Sequence, residues 1–408
     1  MLSPEEAWAA IAAEAETLEV ERVSRADAVG RVLAGGLTAT VDVPAHDVSA
    51  MDGFALGGDV EPGTVLPVDG IVAAGDPPGA ELRPGAALRI MTGAPSPAGS
   101  DRVIPIEQTE FDDSSAAGAG GAVRIVEPVP ESRHIRRQAE VTAAGGPLLA
   151  KGELLTPGGA GVLATHGIHE ATVYRRPTVA TLSTGDEVVP AEAEPGPGQL
   201  RDSHRDFLRG ALSQLGIEAR SLGIARDDPA ELRAKVEAGL QSDVLLISGG
   251  VSMGEFDFVE QVLGETGLGC RFLFDAVAIQ PGKPLVAARH DRGWVFGLPG
   301  NPASAMVTYW LFVRPLLRVM TGAEDSYWRG ALAARLTTDL PGAKWRDRFL
   351  PCRFRVEAGE VLVEPRPPLG SHDLVAYGAG AGLVRVPKQS APAAAGKPCE
   401  VLPTLEWM

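Results

Sequence analysis

Cysteine, aromatic side chains and long apolar runs are all scarce in this chain of 408 residues. Its three cysteines, Cys270, Cys352 and Cys399, form no CxxC pair and no zinc-ligand spacing, so we expect neither a disulfide scaffold nor a structural zinc site. No stretch approaches the roughly 18 uninterrupted apolar residues that span a membrane. The sequence therefore predicts free thiols in a reducing compartment and no membrane-spanning segment.

An excess of positive charge is also missing, since 37 Lys and Arg residues stand against 53 Asp and Glu residues and the net charge is −16. This balance excludes general nucleic-acid binding, which needs a basic face. An anionic substrate is compatible with it, because a local cluster of Arg, Lys and backbone N–H groups can hold an anion on an acidic protein. The first residues lack the basic and apolar segments of a signal peptide, so we expect a cytoplasmic protein.

The chain is too long for one hydrophobic core, and its composition changes along its length. At roughly 100–200 residues per domain, two to four domains are expected. The start predicts a helix, with Ser3 as N-cap, Pro4 at the first helical position and Glu6 completing a capping box. Residues 30–175 are rich in Gly, Pro and short β-type runs, which predicts irregular β-rich structure.

After Pro177 the pattern becomes that of an α/β domain. Two β-type runs, at 178–182 and 244–247, enclose two predicted helices that begin near Ser203 and at Asp228. The run at 244–247 is apolar throughout, which is typical of a parallel sheet covered on both faces. Strand, helix, helix and strand in this order predict an α/β fold with a parallel sheet.

The last part of the chain returns to alternating β-type sequence. A helix over 302–320 closes the α/β region, and alternation resumes after about residue 325. Two alternating runs flank Ala358-Gly359, which predicts a hairpin. We therefore expect a small β domain over 325–408.

Four Gly-rich turns carry polar side chains beside their glycines. They lie at 182–187, 248–254, 280–284 and 297–304. Any one of them could be only a tight turn. Together they point to a ligand site, because the carboxyl ends of parallel strands meet at one edge of a sheet and glycine lets the backbone approach a phosphate. No Walker motif and no GxGxxG is present, which disfavours an ordinary NTPase or dinucleotide fold.

Acidic residues accompany these turns and suggest a Mg²⁺ site that bridges phosphates. The candidate carboxylates are Asp186, Glu187, Asp227, Asp228 and Asp257. Each could instead be a helix cap or a solvated charge, and Asp228 has a capping explanation because Pro229 follows it.

Six short motifs in this order and spacing resemble the bacterial MoeA molybdopterin molybdenumtransferases, which are related to the E domain of gephyrin and its plant counterpart. The motifs are SAMDGFA at 49–55, RIMTGAP at 89–95, LSTGDE at 182–187, SGGVSMGEFD at 248–257, PGKP at 281–284 and GLPGNP at 297–302. The resemblance covers essentially the whole chain.

This resemblance implies an elongated homodimer of four-domain subunits. Its domains would be an N-terminal helical and linking domain of 1–48 and 135–175, a β-rich lobe of 49–134, a doubly wound α/β molybdopterin-binding domain of 176–324 and a small β barrel of 325–408. The lobe of one subunit would lean over the α/β domain of the other, so that the active site lies between subunits.

The reaction implied is the insertion of molybdate into adenylylated molybdopterin, with Mg²⁺ assistance and release of AMP. Lys283, Ser304, Ser371 and an Arg from 346–353 would hold molybdate; Arg346 is preferred, with Arg348 and Arg353 as alternatives. Pterin, nucleotide and metal would be handled by Asp52, Thr92, Asp186, Glu187, Asp228 and Asp257, of which Asp186, Glu187 and Asp257 would bind the metal. The remaining substrate-binding residues by motif are Thr184, Gly185, Ser248, Gly249, Gly250, Ser252, Pro281, Gly282, Pro299, Gly300 and Asn301. A molybdopterin-adenylating protein is an implied partner.

The chain departs from the family pattern at three places. Gln280 replaces the first Lys of a Lys-Pro-Gly-Lys-Pro turn, Val141 replaces an Asp, and His204 replaces the Asn of Asp-Ser-Asn. Losing a Lys beside Lys283 would weaken molybdate binding unless an Arg compensates. Alternatives to an insertase are a molybdopterin adenylyltransferase, which the long β-rich first half disfavours, and a non-catalytic pterin-binding scaffold or paralogue.

Overall fold

The computed structural model describes residues 1–111, 121–250, 258–264 and 268–404. The chain divides into two compact units, one of Arg22–Thr172 and one of Met1–Glu21 with Val173–Met408. The chain passes from one unit to the other within two strands, Val20–Ser24 and Glu170–Tyr174. The four-domain boundaries expected from the sequence stay a prediction.

The unit of Arg22–Thr172 is β-rich, as predicted for residues 30–175. Its main sheet contains six strands, in the order Arg102–Pro105, Gly53–Leu56, Ala87–Ile90, Val65–Val72, Ala122–Ile125 and Thr109–Phe111. Two short two-stranded sheets accompany it, formed by Ile135–Arg136 with Val48–Ser49 and by Pro147–Leu149 with Leu37–Thr38. Its helical segments are Ile106–Gln108 and Pro157–Thr165.

The larger unit is built on a six-stranded central sheet. Its order is Ala219–Ala225, Val179–Thr184, Val244–Ser248, Gly293–Leu298, Pro284–His290 and Arg271–Ala276. The first four strands are parallel, and the last two are antiparallel to their neighbours. Every residue of the strand Val244–Ser248 is buried, which confirms the prediction of a sheet covered on both faces.

The sequence-based order of strand, helix, helix and strand was incomplete. Strand Ala219–Ala225 lies between the two helices and adds the outermost parallel strand of the central sheet. It is an edge strand, and four of its small or polar residues, including Arg220 and Ser221, are exposed or half-exposed. Because half of it faces solvent, it lacks the apolar run that identified the buried strands.

Helices cover the central sheet and connect it to the barrel. They span Pro4–Ala12, His204–Ser213, Pro229–Gly239, Phe258–Leu263, Pro302–Thr308, Arg314–Met320 and Leu374–Gly378. A π-helical turn at Tyr309–Val313 joins two of these, so the predicted helix over 302–320 is one continuous helical run. A short parallel pair, Val188–Val189 with Leu200–Arg201, lies outside the central sheet.

The predicted C-terminal β domain is a closed barrel. Its five strands follow one another around the ring in the order Asp347–Glu357, Glu360–Pro365, Leu332–Leu336, Pro398–Pro403 and Gly382–Val386, and the last pairs with the first. The sixth strand, Ile279–Gln280, comes from the loop before Lys283 and pairs in parallel with the start of Asp347–Glu357. The predicted hairpin turn is present, with positive φ at both Ala358 and Gly359.

The N-terminal helix shows the predicted capping box. The Ser3 hydroxyl accepts from the Glu6 N–H at 3.1 Å, and the Glu6 carboxylate accepts from the Ser3 N–H at 2.8 Å. Trp8 and Ile11 of this helix pack into the core of the larger unit. Within the described residues, no helix is long and apolar enough to cross a membrane.

Candidate active site

A cavity of about 1220 Å³ opens at the carboxyl ends of the parallel strands of the central sheet. The turns after three of these strands line it, together with the turn at 280–284. All four Gly-rich turns therefore meet at one cavity, as the sequence predicted. The predicted substrate-binding residues on its wall are Thr184, Gly185, Ser248, Gly249, Gly250, Pro281, Gly282, Pro299, Gly300 and Asn301.

Two of these glycines are required by the close packing of the turns. Gly249 has φ +91°, and a Cβ there would lie 2.9 Å from the Thr184 carbonyl oxygen. Gly282 has φ +107°, and a Cβ would lie 2.7 Å from a methyl carbon of Thr308. Any larger residue would force the backbone away from the cavity wall, because both positions are left-handed as well as crowded.

A buried polar network lies beneath the turns. The Ser183 hydroxyl donates to Asp202 Oδ2 at 2.7 Å, and the Ser248 hydroxyl lies 3.3 Å from Ser183 Oγ. The other Asp202 oxygen accepts from the backbone N–H groups of His204 and Arg205, at 3.0 and 3.1 Å. Asp202 thus caps a helix and ties two strand ends together, a role that the sequence did not identify.

His204 lines the cavity at the start of this helix and is buried. Burial lowers its pKa below the ordinary 6.5, although the nearby Asp202 charge acts in the opposite direction. The imidazole is therefore neutral near pH 7, and it adds a polar wall without a positive charge.

This burial predicts a specific pH dependence of stability. Because the folded-state pKa of His204 is depressed, the unfolded chain binds more protons as pH falls below about 6.5, and stability falls with it. Replacing His204 with Asn removes this contribution, which amounts to at most about 1.4 kcal/mol per pH unit. Urea unfolding between pH 7 and pH 5 checks this; equal pH slopes for the wild type and H204N would contradict it.

The carboxylates at the cavity differ from the prediction at two residues, because neither Asp186 nor Asp228 lines the wall. Glu187 and Asp227 line the wall, and the Asp186 and Asp227 backbones exchange long hydrogen bonds with each other's carboxylates, at 3.3 and 3.4 Å. Asp228 is not on the wall, and its carboxylate caps the helix Pro229–Gly239 by accepting from the Glu231 N–H at 2.8 Å. The carboxylate at the cavity is therefore that of Asp227, and Asp228 has a structural role.

The oxygen donors of these carboxylates suit Mg²⁺. Considering only residues that the structure describes, no group of three or more His, Cys, Asp or Glu side chains could hold a metal ion by itself. In phosphate sites Mg²⁺ needs only one or two carboxylates and takes its other ligands from water and phosphate oxygens. Glu187 and Asp227 fit that requirement. Asp257 and Ser252, also predicted for this site, lie outside the described residues.

Positively charged residues also line the cavity. They are Lys283, Arg346, Arg348 and Arg201, of which Arg201 donates to the Ala193 carbonyl at 3.0 Å, and Ser304 and Ser371 line the same cavity. Ser304 is buried in the first turn of the helix Pro302–Thr308, and the Ala303 N–H donates to the Ser371 carbonyl at 3.2 Å. Charged donors and hydroxyls around a helix N-terminus are the chemistry that binds a tetrahedral dianion.

The sequence left three arginines as candidates for the anion pocket, and their positions in the barrel reduce these to two. Arg346 and Arg348 both reach the cavity wall, whereas Arg353 is exposed on the same strand and donates to the Ala379 carbonyl. Between the first two, Asp347 is buried and binds Arg385 through Nε at 2.8 Å, and it accepts from the Lys388 N–H. The alternation of the strand therefore places Asp347 and Arg348 on opposite faces, and Arg346 lies one residue before the strand.

Asp52 and Thr92 belong to the other compact unit, where they bind each other. The Thr92 N–H and hydroxyl both donate to Asp52 Oδ1, at 2.6 and 2.8 Å. Two hydrogen bonds lower the pKa of Asp52, the stronger effect coming from the Thr92 backbone N–H and the weaker from the Thr92 hydroxyl. The two motifs that contain these residues are thus joined by one exposed, ionised carboxylate.

The chain matches three family models in succession. They are described as the MoeA N-terminal region with domains I and II, at residues 2–167, a probable molybdopterin binding domain, at 180–319, and the MoeA C-terminal region with domain IV, at 333–404.

Curated relatives match most of the chain. A molybdopterin molybdenumtransferase of Synechococcus elongatus is 38% identical over 86% of this chain and 86% of its own. One of Haemophilus influenzae is 34% identical over 88% and 87%, and molybdopterin molybdenumtransferase 2 of Mycobacterium tuberculosis is 33% identical over 92% of each chain. A crystal structure of the molybdopterin biosynthesis MoeA protein of Pyrococcus horikoshii matches all of both chains, with a TM-score of 0.80 and 31% identity.

Proposed function

The chain belongs to the MoeA family of molybdopterin molybdenumtransferases, enzymes of molybdenum cofactor biosynthesis, and on that premise we propose that it inserts molybdate into adenylylated molybdopterin and releases AMP. The observation that carries the proposal is the mixed lining of one cavity. Four cationic residues, Arg201, Lys283, Arg346 and Arg348, line it together with Ser304, Ser371, the Gly-rich turns and the carboxylates of Glu187 and Asp227.

The proposed reaction requires no redox partner. Two sulfur–molybdenum bonds form between the pterin dithiol and MoO₄²⁻, one oxo ligand leaves as water with both thiol protons, and the oxidation state of molybdenum is unchanged. A further water cleaves the P–O–P bond between the pterin phosphate and AMP. Both changes involve anions, so charge neutralisation serves them better than a protein nucleophile.

The residues of the cavity have distinct roles in this proposal. Lys283 and Arg346 neutralise molybdate, and Ser304 and Ser371 donate hydrogen bonds to its oxygens. The turns at 248–250 and 299–301 receive the phosphates on backbone N–H groups. Glu187 and Asp227 would hold Mg²⁺, which supplies further neutralisation of phosphate charge when it is bound.

Product analysis with the purified protein tests the proposal. Adenylylated molybdopterin and Mg²⁺ are supplied with and without molybdate, and AMP is measured. We expect AMP release that depends on molybdate, and its absence would refute the insertase assignment. Release of pyrophosphate from ATP and molybdopterin would favour adenylyl transfer instead, a step that we assign to a separate molybdopterin-adenylating partner.

We further propose an active homodimer, in which the unit carrying Asp52 and Thr92 completes the cavity of the partner subunit. At molybdate concentrations well below the KM of K283A, the variants D52N and K283A should each lose most activity, because each removes a charged group from every site. Mixing and refolding the two should restore about a quarter of wild-type activity, since half of the dimers would be mixed and each would hold one intact site. Sites confined to one subunit predict no recovery, which the same activity assay would show.

A further inference from the structure

We propose that Arg348 is a second guanidinium ligand of molybdate, and that it supplies from the barrel the positive charge that the neutral Gln280 does not supply from the α/β domain. The inference rests on the proposed function, because it assigns an additional binding residue to the same oxyanion. Three observations carry it: the pairing of two strands, the hydrogen bonds of the guanidinium, and the charges around it.

The pairing places Arg348 and Gln280 next to each other at the cavity. Strand Ile279–Gln280 runs parallel to the start of Asp347–Glu357, and Gln280 is the register partner of Arg348. Both side chains line the cavity wall, in the same turn region as Lys283. A cation on either of these two positions would therefore act on the same part of the cavity.

Arg346 also lines the cavity, one residue before the strand that carries Arg348. Between the two arginines, Asp347 is buried and forms an ion pair with Arg385. This contact anchors the start of the strand, so that Arg346 and Arg348 flank one anchored backbone position beside the cavity.

The guanidinium of Arg348 has N–H donors that form no hydrogen bond within the described residues. One Nη donates to the Gly342 carbonyl at 3.1 Å, and the buried Nε has no hydrogen-bond partner. Within the described part of the chain, no carboxylate forms an ion pair with Arg348. The buried Nε is out of reach of a ligand in the cavity, but a guanidinium carries five N–H donors, and the Nη donors that Gly342 does not use can donate to an oxyanion there.

The surrounding charges favour a dianion over a neutral ligand. Lys283 and Arg346 line the same cavity as Arg348, and so do Ser304 and Ser371. The planar guanidinium group of an arginine can donate two parallel hydrogen bonds to two oxygens of a tetrahedral oxyanion. The ammonium group of a lysine acts as a point charge and does not provide this paired contact. Arg348 therefore adds both charge and a directional contact.

Direct titration with sodium molybdate tests the inference on the full-length protein. The variant Arg348→Gln removes the charge and keeps an amide donor for the Gly342 carbonyl. We expect its Kd for molybdate to rise about 10- to 100-fold, the loss typical of a charge-assisted hydrogen bond. Adding Gln280→Lys to this variant should restore most of the affinity, because it returns a cation to the neighbouring strand position.

Arg353→Gln is the matched control, since it removes an arginine from the same strand away from the cavity, and its Kd should equal that of the wild type. The inference would be overturned if Arg348→Gln bound molybdate as tightly as the wild type. It would also be overturned if this variant lost affinity for AMP and kept its affinity for molybdate. If the wild type itself bound no molybdate, the proposed function would fail instead. If Arg348→Gln melts well below the wild type, wild-type crystals soaked in molybdate test the inference instead. Molybdenum located beyond hydrogen-bond reach of Arg348 would refute it.

Discussion

Replacing Lys283 with Ala should raise the KM for molybdate by about 10- to 100-fold while the protein keeps its fold. In the proposed site the ammonium group binds molybdate from the turn at 280–284, whereas Arg346 and Arg348 belong to the barrel and cannot take its place. The fold should tolerate the change because the Lys283 side chain is exposed, and its backbone carbonyl accepts from the Val277 N–H in either case.

The control for this variant is Lys397→Ala, which removes an exposed lysine of the barrel that does not line the cavity. Steady-state AMP release at several molybdate concentrations distinguishes the two. We expect K283A to approach wild-type kcat at high molybdate, since the charge contributes mainly to binding. An unchanged KM for molybdate would show that the anion pocket lies elsewhere.

The second large effect is expected on stability, from Asp347→Ala. Asp347 is buried, and its removal leaves Arg385 without its closest carboxylate. Hydrogen bonds from Arg385 to Glu5 and Asp347 raise the pKa of that arginine against the opposing effect of burial, so it cannot respond by losing its proton. Breaking a buried ion pair in this way costs roughly 3 kcal/mol.

Glu5→Gln provides the comparison, because Glu5 binds the same guanidinium from a half-exposed position. An exposed ion pair contributes about 0–1 kcal/mol, so this variant should unfold close to the wild type. Urea unfolding followed by tryptophan fluorescence measures both. D347A should also bind molybdate more weakly, because the segment that carries Arg346 and Arg348 loses its anchor. Equal stability of D347A and E5Q would contradict this account.

Much of the site followed from local sequence. The strand Val244–Ser248 was predictable because burial on both faces leaves an uninterrupted apolar run, and the Gly-rich turns could be assigned to one sheet edge because parallel strands end on the same side. The capping box at Ser3 and the turn at Ala358-Gly359 were predictable because each depends on residues only a few positions apart.

Features that depend on distant residues could not be predicted in this way. The position of Arg348 follows from the pairing of Gln280 with a strand nearly 70 residues later in the chain, which no local pattern records. The network of Ser183, Asp202 and Ser248 likewise joins separate strand ends. Asp227 and Asp228 are adjacent in sequence, and only the helix geometry decides which of them faces the cavity.

Locating molybdenum in a crystal soaked with sodium molybdate tests the central claim most directly. Anomalous scattering identifies the metal without reference to any assumed site. We expect a single strong peak in the cavity, within hydrogen-bond reach of Lys283, Arg346 and Arg348, and near the Ser304 and Ser371 hydroxyls. A cavity without molybdenum at a concentration that saturates AMP release, or a peak at a different surface, would contradict the account.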